Sequence, residues 1–194
     1  MKPKELVIAA ALIILFSTLV SGCQMVEQTG SAKITKKTFI EEFVMKAVAA
    51  KKEVRLSLKA VREGAQVRVT VNLENPNLKP ITSTQAWLSF DPALLQGKSI
   101  NVKDSAFSLM APYDNTFDNK AGLAMVGRAN PKPLTDKTIK VAELVFDTAK
   151  DGTAMVDAYD YQDDLSGHTS ANVLVNGKPF NILLKPDSPL LIIE

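Results

Sequence analysis

VRVTVNLENPNLKPITSTQAWLSFDPALL, residues 67–95, switches between apolar and polar side chains on both sides of a proline-rich break. Val67, Val69, Val71 and Leu73 alternate with Arg68, Thr70 and Asn72; Ala86, Leu88 and Phe90 alternate with Gln85, Trp87 and Ser89. Successive side chains of a strand point to opposite faces, so a period of two means strands with one buried and one outward face. A helix would repeat its apolar stripe every three to four residues instead. Asn75-Pro76 and Asp91-Pro92 end the two runs. Proline has no N–H to give a ladder, and Asn and Asp hydrogen-bond their own backbone in turns. Ala86, Leu88 and Phe90 are therefore expected in a core, with Gln85, Trp87 and Ser89 facing out.

The same period recurs along the chain. Val54, Leu56 and Leu58 alternate with Arg55, Ser57 and Lys59, and further strand-like runs are AGLAMVGRA, IKVAELVFDT, TAMVDAY, SANVLV and PFNILL. In IKVAELVFDT the expected inward residues are Ala142, Leu144 and Phe146, leaving Glu143, Val145 and Asp147 outward. Pro131-Lys132-Pro133, Asp151-Gly152 and Asn176-Gly177 punctuate these runs. Many short alternating strands with no helical pattern between them predict an all-β fold, a jelly-roll β-sandwich over residues 54–185. The tail 186–194, PDSPLLIIE, stands apart, as an edge strand or a segment packed on a helix.

The N-terminal part follows other rules. Lys2 and Lys4 precede an apolar run from Leu6 to Val20. That run is shorter than the ~20 residues a spanning helix needs, and with its basic head it reads as a secretory signal over residues 1–22. Its end, Val20-Ser21-Gly22 before Cys23, resembles a bacterial lipobox. The resemblance implies that Cys23 is the lipidation site: cleaved before, diacylated and held at a cell membrane or outer membrane, facing out of the cytoplasm. In a cell with two membranes, Gln24 in place of the Asp that commonly retains lipoproteins at the inner one favours the outer one. Cys23 is the only cysteine, so no internal disulfide can form. Residues 23–53 read as a tether and a short helix at 38–52, with Phe39, Ile40, Phe43, Val44, Ala47 and Val48 at helical spacing.

The charge is nearly balanced, 23 Lys and Arg against 21 Asp and Glu, which leaves no basic footprint for nucleic acid. Asp157, Asp160, Asp163 and Asp164 crowd one stretch, and Asp114, Asn115, Asp118 and Asn119 another. Neither has the D-x-[DN]-x-[DN]-G spacing of an EF-hand, so solvated acidic loops without a cofactor are expected, with calcium held by these carboxylates as the alternative. His168 is the single histidine and has no cysteine to share a zinc with. No nucleophile elbow, metalloprotease helix, P-loop or dinucleotide fingerprint occurs, and no enzyme is expected.

The strand ending in Asn75-Pro76, the strand running into Phe90-Asp91-Pro92 and Leu94-Leu95, the pair Ala121–Ala129 and IKVAELVFDT, and the closing NVLVNGKPFNILL together resemble a cohesin domain. The resemblance implies a non-catalytic module that binds dockerin modules and so docks partner proteins, such as polysaccharide-degrading enzymes, at a scaffold or cell surface. It further implies a partner-binding sheet face carrying Ser83, Gln85, Trp87, Ser89, Glu143, Val145 and Asp147. Ser83 and Gln85 stand where the family often has Asn and Asp, a departure from the usual dockerin-binding pattern. Trp87, the only tryptophan, also suits a sugar ring, so the alternative expectation is a carbohydrate-binding module with a polysaccharide as its partner.

Overall fold

The computed structural model describes residues 51–110 and 114–194; the signal, Cys23, the tether and most of the helix expected at 38–52 lie outside them. The described strands are β1 (Arg55–Glu63), β2 (Gln66–Glu74), β3 (Ile81–Phe90), β4 (Leu95–Asn101), β5 (Leu109–Met110), β6 (Thr116–Asp118), β7 (Leu123–Leu134), β8 (Thr138–Thr148), β9 (Ala154–Ala158), β10 (Thr169–Val175), β11 (Lys178–Asn181) and β12 (Leu191–Ile193). All-β is the fold class the alternation predicts. One sheet has the order β1-β2-β8-β4; the larger has β11-β10-β3-β7-β5, with β9 beside β3, β12 beside β9 and β6 beside β7.

Turn chemistry sets the hairpins. β10 and β11 are joined by Asn176 and Gly177 at φ 52° and 75°, the left-handed pair that a tight two-residue hairpin requires. Antiparallel register then decides which side chains meet. Val67, Val69 and Val71 on β2 pair with Phe146, Leu144 and Ala142 on β8, and all six are fully buried. On β3, Ala86 and Leu88 are 0 % exposed and Phe90 6 %, as the alternation predicts. The two sheets meet at an aromatic cluster: Phe90 and Phe146 have ring centroids 5.1 Å apart and Phe117 and Phe146 5.2 Å, both edge-on. That is the favoured geometry for ring quadrupoles.

The C-terminal tail completes the larger sheet. Leu191, Ile192 and Ile193 pair with Val156, Met155 and Ala154 of β9, and Ile193 enters the common core at 6 % exposure. Of the two expectations for the tail, the edge strand is what forms, so the sandwich extends past residue 185.

Candidate functional site

The outward side of β3 carries Ser83, Gln85, Trp87 and Ser89, all half-buried. Register puts Asn172 and Ser170 of β10 beside Ser83 and Gln85. On the other flank Ala129, Gly127, Met125 and Leu123 of β7 stand beside Ser83, Gln85, Trp87 and Ser89. The β3, β7 and β10 members of this patch are uncharged, with Asp157 of β9 beside Ser89 and Asp118 of β6 beside Leu123 at its margin. Asn172 is 8 % exposed and gives its amide N–H to the hydroxyls of Ser83 and Ser170 at 3.3 and 3.2 Å.

Trp87 is the one aromatic side chain on the patch. Its indole N–H donates to Asp114 Oδ1 at 3.3 Å. His168 lies with its ring 4.2 Å from the indole, and Tyr159 stacks at 6.3 Å with 21° between planes. Asp160 Oδ2 accepts from His168 Nδ1 at 2.6 Å and thereby orients the imidazole. Desolvation raises the pKa of Asp114, against the pull of the Trp87 hydrogen bond and the His168 charge. Asp160 moves the other way, held below its usual range by hydrogen bonds from His168 and Gln162. Asp163 is lowered by hydrogen bonds from Lys52 and Tyr161.

Glu143, Val145 and Asp147 are not part of this patch. β8 belongs to the smaller sheet, paired with β2 and β4, so these three residues point out on the opposite side of the sandwich. The expectation of one shared face is corrected. The sequence shows each strand's alternation, but the sheet a strand joins depends on long-range pairing. Val145 is also 6 % exposed, packed between its register neighbours Arg68 and Ser99, and offers a partner little surface. The face around it is charged and internally paired. Arg68 reaches Glu63 at 2.8 Å and Glu143 at 3.1 Å, and Asp147 takes Gln66 at 3.0 Å and Lys98 at 3.5 Å.

The acidic stretch is likewise committed to internal partners. Asp163 binds Lys52 at 2.6 Å, Asp164 accepts from the Ser166 backbone and hydroxyl at 2.8 and 2.6 Å, and Asp157 accepts from the Ser188 hydroxyl. Among the described residues no group of three or more His, Cys, Asp and Glu side chains is placed to hold a metal. A groove of about 400 Å³ lies elsewhere, between Arg55–Leu58 and the segment Leu184–Leu190.

Asp114, Asp160 and His168 stand out in the sequence only as acidic loops and a lone histidine; their gathering with Tyr159 around Trp87 escaped sequence reasoning. Tyr159, Asp160 and His168 sit in a loop some 70 to 80 positions away in the chain, and Asp114 in another. No periodicity links them to β3. The depressed carboxylates give a pH prediction. An acid whose folded pKa lies below its unfolded value, about 3.9 for Asp, stabilises the fold above that value and ceases to do so as pH falls through the folded one. Urea unfolding at pH 6 and pH 3 should therefore show a smaller acid loss in Asp160→Asn/Asp163→Asn than in the parent chain. Equal losses would mean that these two contacts carry none of the acid sensitivity.

No family model matches the chain, and no curated protein sequence matches it. Solved structures similar to it in shape include the seventh ScaB type I cohesin from Pseudobacteroides cellulosolvens, at 12 % identity and TM-score 0.47, over 67 % of this chain and 84 % of that one. Another is a type I cohesin–dockerin complex from Clostridium thermocellum, at 13 % identity and TM-score 0.47, over 69 % and 95 % of the two chains. A third is a type II cohesin domain from the cellulosome of Acetivibrio cellulolyticus, at 16 % identity and TM-score 0.46, over 70 % and 92 %.

Proposed function

We propose that the chain is a lipid-anchored, non-catalytic docking module whose outer β3 face receives a partner protein of dockerin-like type. The observation that carries this reading is the contrast between the two outer faces. The smaller sheet presents paired charges, which suit water. The larger presents a strip of Ser, Asn, Gln, Gly, Met and Leu around one tryptophan, with acidic side chains only at its margin. Interface centres are depleted in charge and enriched in aromatic anchors and Met. A flat patch of this kind suits a protein better than a small ligand, which needs concavity. His168, tilted 30° against the indole at 4.2 Å, leaves less of the ring free for a sugar. The sequence resemblance to cohesins supplies the class of partner, and with it the link to polysaccharide breakdown.

The test uses the soluble chain from residue 24 onward, immobilised and exposed to tandem-calcium-loop dockerin modules of the same organism, with and without a chelator, and in parallel to a glycan array. Saturable, calcium-dependent capture of a dockerin module supports the reading. Glycan binding without any dockerin capture overturns it in favour of a carbohydrate-binding module. The anchor is tested separately. Mass spectrometry of the native protein should find a diacylated Cys23 at the mature N-terminus, and Cys23→Ser should abolish membrane partitioning. An unmodified N-terminus downstream of Cys23 removes the anchor from the proposal.

A further inference from the structure

Residues 159–168 form a loop with three attachments, one at Trp87, one at Asn181 of β11 and one at the N-terminal entry to the domain. Both feet stand on the backbone of Trp87. The Tyr159 N–H donates to the Trp87 carbonyl at 2.8 Å, and the Thr169 hydroxyl reaches the carbonyls of Trp87 at 3.0 Å and Tyr159 at 2.7 Å. The loop closes on itself through the His168 N–H to the Asp160 carbonyl at 2.9 Å. It is packed so tightly that a Cβ on Gly167 would lie 2.5 Å from that same carbonyl oxygen. A segment so braced moves as a unit.

Its far side is held at the backbone by Asn181, whose amide donates to the Gln162 and Asp164 carbonyls at 3.1 Å each, and is fastened through side chains by Lys52. The ammonium donates to Asp163 Oδ1 at 2.6 Å, to the Asp163 carbonyl at 2.9 Å and to the Tyr161 hydroxyl at 2.7 Å, and lies 5.0 Å from the Tyr161 ring centre. Burial works against the charge on Lys52, but the hydrogen bonds to Asp163 and Tyr161 outweigh it and raise its pKa. Tyr161 passes the hold on to the Leu183 carbonyl at 3.0 Å. Lys52 stands two positions before Val54, whose N–H bonds the Ile182 carbonyl at 3.2 Å and whose carbonyl accepts from Leu184 at 2.7 Å. The chain is thus fixed at Val54, and Lys52 is the last side chain before that point to grip the loop.

We propose that loop 159–168 is a strap fastened by Lys52, which holds the His168 ring over one face of Trp87 and uncovers the indole when Lys52 lets go. Its consequence for partner capture rests on the docking reading; its mechanics do not. Any displacement of the chain at Lys52 would open the strap and present a larger aromatic surface. The ion pair is screened by salt, because the Asp163 side chain is 87 % exposed, so high ionic strength mimics release in part.

Trp87 is the only tryptophan in the sequence, so its fluorescence reads the strap directly in the full-length chain in detergent. Lys52→Met and the nearly isosteric Asp163→Asn should each raise the acrylamide quenching constant about twofold or more, as the population shifts to the open strap. Lys51→Met, which removes the neighbouring Lys51–Glu53 pair, should leave it unchanged. The exchanged pair Lys52→Asp with Asp163→Lys should restore shielding. Unchanged quenching in both single variants overturns the strap, as does an equal rise in Lys51→Met. The two readings fail separately. A strap that opens as described while Trp87→Ala leaves partner binding intact defeats only the docking reading. Unchanged quenching beside a lost partner defeats only the strap.

Discussion

Replacing Phe146 by alanine is expected to destabilise the domain by about 3–5 kcal/mol, the range for truncating a fully buried phenylalanine. The ring is 0 % exposed and lies edge-on to Phe90 and Phe117, so its loss removes the contact that joins the two sheets. The surroundings cannot collapse to fill the gap. Gly97 of β4, the register partner of Phe146, has no side chain, because the Phe117 ring already occupies the space: a Cβ there would lie 2.2 Å from it. A cavity that neighbours cannot fill keeps its full penalty. Against a typical total stability of about 5–15 kcal/mol, the variant should unfold at a markedly lower urea concentration. A shift equivalent to less than about 1 kcal/mol would mean that the aromatic cluster is not the join between the sheets.

Phe146 was legible in the sequence, and so were its core partners, because alternation survives wherever one strand face is buried and the other is wet. β2 and β3 are of this kind and β8 is so in part, its outward Val145 being covered, and each inward residue assigned to them is buried. β4 was not legible. Leu95-Gln96-Gly97-Lys98-Ser99-Ile100-Asn101 is mostly polar and is broken by a register shift between Gly97 and Ser99, so its side chains do not keep a period of two. β5 and β6 are two and three residues long, too short for any pattern to show. The tail fails for another reason: Leu-Leu-Ile-Ile is apolar throughout, and pairing with β9, not periodicity, decides that Ile193 turns in and Ile192 out. The site follows the same logic. Which side of β3 faces out could be read locally. That β7 and β10, not β8, flank it could not, because strand neighbours in a sandwich are chosen by contacts distant in the chain.

That topology sharpens the second large effect. Trp87→Ala should weaken partner binding by at least about 2 kcal/mol, some thirtyfold, if the indole is the anchor of the β3 face. The fold should survive. The inward neighbours Ala86 and Leu88 are untouched, and the groups the indole contacts, Asp114, Tyr159 and His168, can all be rehydrated, being in part exposed already. Glu143→Ala serves as the matched control. Its carboxylate lies on the opposite sheet, half-buried and bonded to Arg68, so its loss should leave binding unchanged and cost only the modest energy of one partly exposed ion pair. Binding titrations of the two variants against one captured partner separate the possibilities. Loss in Trp87→Ala alone places the partner on the larger sheet. Loss in Glu143→Ala alone places it on the charged face, where affinity would also fall steeply with salt. The strand residues beside Trp87 predict a weaker salt dependence on the β3 face, because Ser, Asn, Gln, Met and Leu carry no charge and the nearby acids Asp114 and Asp160 are already hydrogen-bonded to Trp87 and His168.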